Sequence, residues 1–247
     1  MKIIQTLLLA LVVILFACSP AQKTGESEQI ATKVAAPGAA QLSDAEAAEG
    51  WQLLFDGTST EGWHSYLKEG VEGWKAENGE LISEGGHGDL ITDAQYENFE
   101  LSLEFKISPG GNSGIIYRVV EDAKYPATYM TGPEYQLIDD NGWKDSLTDK
   151  QKTGANYDVD APAGIHSKPP GEYNQARILV NGSHVEHWLN GQKVVEYELW
   201  SPEWEKKVAN SKWKTVADYG RAKSGKIALQ DHGDGVTTFR NIKIRPL

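Results

Sequence analysis

Phe99-Glu-Leu-Ser-Leu-Glu-Phe-Lys106 alternates apolar and polar side chains over eight residues. Leu101, Leu103 and Phe105 fall on one side and Glu100, Ser102, Glu104 and Lys106 on the other, the period-two signature of a half-buried β-strand. Read outward from this stretch, similar runs predict strands over residues 114–120, 134–139, 175–181, 185–189, 193–199, 226–232 and 237–244. Asn181-Gly182 and Asn190-Gly191 are tight-turn dipeptides that join three of these runs into an antiparallel meander. Ser201-Pro202-Glu203 combines an N-cap, a first-turn proline and an early acid, and predicts one late helix from Trp204 to about Asn210. Many short strands, frequent turns and one short helix late in the chain specify an all-β sandwich of two antiparallel sheets. No repeat of blade or solenoid length is present, so propellers and β-helices drop out.

The 247 residues hold 24 Lys+Arg against 35 Asp+Glu, a formal charge of −11, and the acidic balance gives no footprint for a nucleic-acid partner. One cysteine excludes an internal disulfide framework and any multi-cysteine metal site. That cysteine closes Leu15-Phe16-Ala17-Cys18, behind a positive start at Lys2 and an apolar run too short to span a bilayer comfortably. The segment reads as a lipoprotein signal over 1–17, with Cys18 as the lipidated first residue of the mature chain. Ser19, not Asp, follows it, so the expected location is a lipid anchor at the cell envelope, the outer membrane if one exists. Residues 18–49 are poor in apolar side chains and read as a flexible tether, with a short helix around 42–49. The folded domain is expected over 50–247.

More specific strings lie along that domain. They are Leu53-Leu-Phe-Asp-Gly57 ending in Gly62-Trp63, Asp89-Leu-Ile-Thr92, Asn112-Ser-Gly-Ile-Ile-Tyr-Arg118 and Glu134-Tyr-Gln-Leu-Ile-Asp139. Thr153-Gly154-Ala155, Gly225-Lys-Ile-Ala-Leu-Gln-Asp-His-Gly233 and Phe239-Arg240-Asn241-Ile242 follow in order. The ordered set resembles the 3-keto-disaccharide hydrolase family, also described as 3-keto-glucoside 1,2-lyase and hydratase domains, across about residues 51–246. The resemblance implies a concanavalin-like jelly roll acting on sugars. It also implies cleavage of glycosides already oxidised to a ketone at C3, with a sugar 3-dehydrogenase upstream to make that ketone. The alternative from a different class is a carbohydrate-binding surface lipoprotein without turnover.

Strand parity picks out candidate site residues independently. Ile115, Tyr117 and Val119 share one face of their strand, leaving Ile116 and Arg118 on the other. Tyr135 and Leu137 suit the core, leaving Glu134 and Gln136 opposite. Ile227 and Leu229 suit the core, leaving Gln230 and His232 opposite. Carboxylate, guanidinium, amide and imidazole groups on one sheet face suit a sugar better than plain solvent exposure does. Glu134 and His232 are the expected acid–base groups and Arg118 the expected enolate stabiliser, with Gln136 and Gln230 positioning the substrate. Asn112 is a further sugar contact, Trp143 and Tyr157 are rim aromatics, and His166 is a loop residue able to reach over the sheet. Asp139 and Asp231 end strands on core parity and rank lower. A divalent cation could replace or assist Arg118, although no ligand spacing requires one; His184 and His187, three apart, face opposite ways along a strand. A two-carboxylate glycosidase is disfavoured because only Glu134 is a persuasive inward acid.

Overall fold

The computed structural model describes residues 38–247; the signal over 1–17, Cys18 and most of the expected tether lie outside the described residues. Along the chain come α1 (Asp44–Ala48), β1 (Gln52–Leu53), β2 (Trp63–Ser65), β3 (Trp74–Glu77), β4 (Glu80–Ser83) and β5 (Leu90–Thr92). Then follow β6 (Phe99–Ile107), β7 (Asn112–Val119), β8 (Glu134–Ile138), β9 (Asn174–Asn181), β10 (His184–Leu189) and β11 (Gln192–Glu198). The chain ends with α2 (Pro202–Ala209), β12 (Lys226–Leu229) and β13 (Thr237–Pro246). An eight-stranded sheet has the order β11-β10-β9-β6-β13-β4-β3 with β1 added on β13, and a five-stranded sheet has the order β2-β5-β12-β7-β8. Every pairing is antiparallel. The fold is an all-β jelly-roll sandwich, as the alternating runs require.

The inner faces of the two sheets form one core. Phe99, Leu101, Leu103, Phe105 and Ile107 of β6 meet Ile115 and Tyr117 of β7 and Tyr135 and Leu137 of β8 in a single buried cluster. Trp63 and Trp74 plug this core. The meander β9-β10-β11 forms as expected. Leu189 pairs with Gln192 across Asn190 and Gly191, both at positive φ (49° and 80°), the geometry a type I′ turn demands. The late helix starts at Ser201, whose Oγ accepts from Trp204 N at 3.1 Å.

Residues 38–49 do not behave as free chain. Ser43 and Glu46 close a capping box on α1, the Glu46 carboxylate pairs with Lys243 of β13, and Ala40 N donates to Asp56 O at 2.8 Å. The compact unit therefore begins ahead of the boundary expected at residue 50. The strands between residues 52 and 92 are two to four residues long, too short for alternation to reveal.

The strand β7 carries the irregularity that matters most for function. Lys226 pairs with Val119 and Ala228 with Ile116, so Tyr117 and Arg118 together oppose Ile227 alone. Arg118 sits in this β-bulge at φ 55°, and Gly225, whose missing Cβ would collide with the Arg118 backbone, lies against it. The bulge reverses the face of everything beyond it. Val119 joins Ile116, Ile91 and Ala228 in a small apolar cluster on the outer face.

Candidate active site

The outward face of the five-stranded sheet gathers most of the residues that parity selects. A pocket of about 150 Å³ is lined by Asn112, Glu134 and Gln136 from the sheet, by Gln230 just past the end of β12, by His232 and Tyr157 from loops, and by Tyr129 and Lys212. Glu134 and Gln136 project from β8 with Tyr135 and Leu137 turned into the core, as alternation requires. Asn112 begins β7 directly across from Ile138, and its Oδ1 accepts from Gln136 Nε2 at 3.2 Å. The other amide atom, Gln136 Oε1, is buried without a partner among the described residues. A buried acceptor left open costs stability unless something donates to it, so the pocket floor asks for a hydroxyl.

Glu134 is the electrostatic centre. Its side chain lies over Gly114 so closely that a Cβ there would overlap Oε1. Burial pushes its pKa up to about 8; the Lys212 ammonium opposes that rise and Asp89 adds to it. Among the described residues no hydrogen-bond donor reaches this carboxylate. Lys212 answers in kind. The residue as a whole is exposed, yet desolvation of its ammonium lowers its pKa, while Glu134 and Asp158 hold it up. The ammonium stands 3.9 Å from the Tyr157 ring centroid, 4.3 Å from Trp213 and 5.8 Å from Tyr129. The segment after α2 is clamped in place: Lys212 N donates to Asp158 Oδ2 at 2.6 Å, Trp213 Nε1 donates to Tyr157 O at 2.9 Å, and Trp213 stacks on Tyr219 at 4.5 Å.

His232 stands at the rim. Its Nδ1 lies 2.7 Å from Asp234 Oδ2, which makes Nδ1 the protonated nitrogen and leaves Nε2 facing the pocket chemistry. Asp234 also pairs with Lys144 at 3.0 Å, and these two contacts hold its carboxyl below the usual range. Trp143 meets the His232 ring edge-on at 5.7 Å, so it braces the imidazole at the rim. Gln230 is fixed by its backbone, with N donating to Gly114 O at 2.9 Å and O accepting from Ser113 Oγ at 2.7 Å.

Two expected site residues lie elsewhere. Arg118 is carried past its parity position by the bulge, and its guanidinium donates to Glu97 O and Gly182 O at 2.8 and 2.9 Å and faces Trp200. It is a buried strap between loops and does not line the pocket. His166 folds back on its own loop, with Nε2 donating to Ala163 O at 3.0 Å. Asp139 and Asp231 bind backbone amides: Asp139 accepts from Gly110, Asn141 and Gly142, and Asp231 from Gly86, His87 and Gly233. His187 is buried between the sheets, while His184 points outward.

Strand reading misses Lys212, Tyr129 and Asp234. Asp234, two residues beyond His232, carries a local signal in the His-Gly-Asp spacing. Lys212 and Tyr129 carry none, because only the docking of distant segments brings them to the sheet. The pocket does not assemble three His, Asp or Glu ligands for a cation. Among the described residues such a trio occurs at His184, Glu186 and Glu196 on the β10–β11 hairpin, where the Lys193 ammonium already bonds to both glutamates. In the pocket, positive charge comes from Lys212.

The family described as 3-keto-alpha-glucoside-1,2-lyase-like domain matches residues 50–245. A 3-keto-disaccharide hydrolase of Bacteroides thetaiotaomicron is 34% identical over 203 residues, spanning 73% of this chain and 69% of that protein. A crystal structure from Parabacteroides distasonis, provisionally assigned as a glycosyl hydrolase, superposes with a TM-score of 0.81 at 40% identity, covering 84% of this chain and 98% of the other. At 12% identity and a TM-score of 0.50, β-agarase A from Zobellia galactanivorans shares the fold over 79% of this chain and 92% of its own.

Proposed function

This chain belongs to the 3-keto-alpha-glucoside-1,2-lyase-like family, and from that premise we propose that it cleaves 3-keto-glycosides by β-elimination and then hydrates the product. The observation that supports this reading is one small pocket holding a buried carboxyl of raised pKa, a caged ammonium and an Asp-oriented imidazole. A ketone at C3 acidifies the C2 proton, and the C1–O bond lies β to that ketone. The chemistry needs a base at C2, positive charge at the enolate oxygen and an acid at the leaving oxygen.

Glu134 in its ionised form takes the C2 proton. The electron pair delocalises onto the C3 oxygen, where the Lys212 ammonium meets the charge in place of the expected Arg118. The C1–O bond then breaks, C1=C2 forms and the ketone is restored, while His232, entering the step as the imidazolium with its Nδ1 proton held by Asp234, delivers the Nε2 proton to the departing oxygen and is left neutral. Hydration runs the same groups in reverse: His232 takes a proton from water as its oxygen adds to C1, and Glu134 returns a proton to C2. A raised pKa suits Glu134 to both steps, since it is a stronger base than a free carboxylate and an acid near neutral pH. Gln136 and Asn112 receive hydroxyls at the floor. An oxidoreductase acting at C3 must supply the substrate, and lipidation at Cys18 would hold the enzyme at the envelope.

The test is incubation of the protein in D2O with a 3-keto disaccharide and with its unoxidised parent. Cleavage of the keto sugar alone, with deuterium entering C2, is expected. Equal turnover of the parent overturns elimination, and binding without turnover of either sugar makes the chain a carbohydrate-binding module.

A further inference from the structure

Beside the reaction pocket lies a second, larger basin of about 440 Å³. The two share Tyr129, Gln230 and His232, so they are adjoining compartments of one groove. Their sizes divide the work. Sites that take up a whole small ligand run to roughly 300–1,000 Å³. At 150 Å³ the reaction pocket holds only part of a substrate, and the basin falls within that range.

The basin is a built feature. One wall is the turn at Tyr66 and Leu67, the opposite wall is Pro126, Ala127 and Tyr129, and Asp89 lies between them. Tyr66 donates its hydroxyl proton to Tyr125 O at 2.9 Å, tying the two walls together. Leu67 stands at φ 59°, and its amide donates to Glu121 Oε1 at 3.0 Å. Asp89 accepts from Thr128 Oγ1 on one side and from Asp231 N at 3.0 Å on the other, so it links the Tyr129 wall to the segment carrying His232.

Leu67 and Tyr129 are among the few large apolar side chains left exposed, 43% and 39%, and both line this basin. Charge offers little to a ligand here, because the Lys68 ammonium is already engaged by Glu72 at 2.6 Å and by His87 O at 3.2 Å. Apolar walls over a polar lining whose one lysine is already engaged fit a neutral pyranose, whose CH face packs on Leu67 and Tyr129 while its hydroxyls meet Asp89 and Gln230. The Asp89 and Asp231 carboxylates in the same lining disfavour a phosphate or a uronate.

We propose that this basin is the leaving-group subsite and takes a neutral sugar ring, with the scissile oxygen at the junction beside His232. The assignment rests on the elimination reading above and adds to it where each half of the substrate lies and what the departing half is.

The experiment compares Ala127→Trp, which fills the basin from its wall, with the unaltered protein on a 3-keto disaccharide and on the methyl 3-keto-glucoside, whose leaving group is only methanol. Tm and circular dichroism establish that the variant folds. The ratio of kcat/KM for disaccharide over methyl glycoside is expected to fall at least tenfold, mostly through KM. An unchanged ratio overturns the subsite even if both substrates are cleaved. If neither keto sugar is cleaved by the unaltered protein, the elimination reading fails by itself. Saturation-transfer NMR with methyl α-glucoside then judges the basin: a signal lost in the variant supports it, and the same signal, or none, in both proteins overturns it.

Discussion

The five-stranded sheet has a cluster of buried polar side chains on each face. Between the sheets, His187 Nδ1 donates to Gly154 O at 3.1 Å and Nε2 accepts from the Tyr117 hydroxyl at 2.9 Å, while Tyr117 also bonds to Tyr197. On the outer face, Glu134 and Gln136 are also deeply buried, yet among the described residues the Glu134 carboxylate has no donor and Gln136 Oε1 has no partner. Both clusters shift pKa values through burial, Glu134 up to about 8 and His187 down to about 4. The difference lies in satisfaction. A polar group whose bonds are all made within the fold holds the sheets together, and one left open at a pocket wall is held ready for a ligand. Burial alone does not distinguish them.

The largest effect that sharpens this contrast is expected at Glu134. Glu134→Gln removes the base at C2 and should lower kcat about 1,000-fold. It should also remove a stability loss. With its folded pKa raised, Glu134 favours the fold fully below about pH 4.5 and loses that contribution as pH rises through about 8. The Tm of the variant should therefore exceed that of the unaltered protein at pH 8 and converge with it at pH 4.5; a lower Tm at pH 8 breaks the comparison.

His187 gives the opposite slope. Its folded pKa is depressed, so its contribution is complete above about pH 6.5 and is lost as pH falls through about 4. That difference corresponds to about 3 kcal/mol. Chemical denaturation across this range should show the loss, and His187→Gln should flatten it without moving the pH profile of kcat/KM.

Next in size is Lys212→Met, which keeps the stem and removes the charge. Loss of one preorganised electrostatic partner should cost about 100-fold in kcat with KM nearly constant. A change confined to KM would make Lys212 a binding residue instead. Smallest is Gly114→Ala: the new methyl forces the Glu134 carboxylate to shift by about 1 Å, and a drop of at least about tenfold in kcat is expected. Activity at full level would show that the carboxylate has room to move.

Much of this site is legible in the sequence wherever a strand runs regularly. Tyr135 and Leu137 turn inward, so Glu134 and Gln136 must turn outward, and Gln230 follows from Leu229 in the same way. Legibility ends where regularity does. Arg118 obeys parity on paper, but a bulge one residue long removes it from the face. Lys212 sits in a short helical turn among other lysines and reads as solvated, because its neighbours Tyr129, Tyr157 and Glu134 are 55 to 83 residues away along the chain. The same limit applies to the fold. The long strands and the meander announce themselves, whereas β1 to β5 are recognised only through partners such as Ile244 for Gln52 and Leu229 for Leu90.

The bulge at Tyr117 and Arg118 also gives β7 a tolerance to change that a regular strand lacks. A straight strand is a single gear: slip it by one tooth and every side chain changes face. Here the gear is cut in two. The half up to Ile116 keeps time with both β8 and β12, Val119 beyond the bulge keeps time with Lys226, and Gly225 acts as the pawl that stops either half from advancing on the other. Substitutions beyond residue 118 can remodel the apolar shelf beside the pocket without turning over the floor on which the sugar would lie.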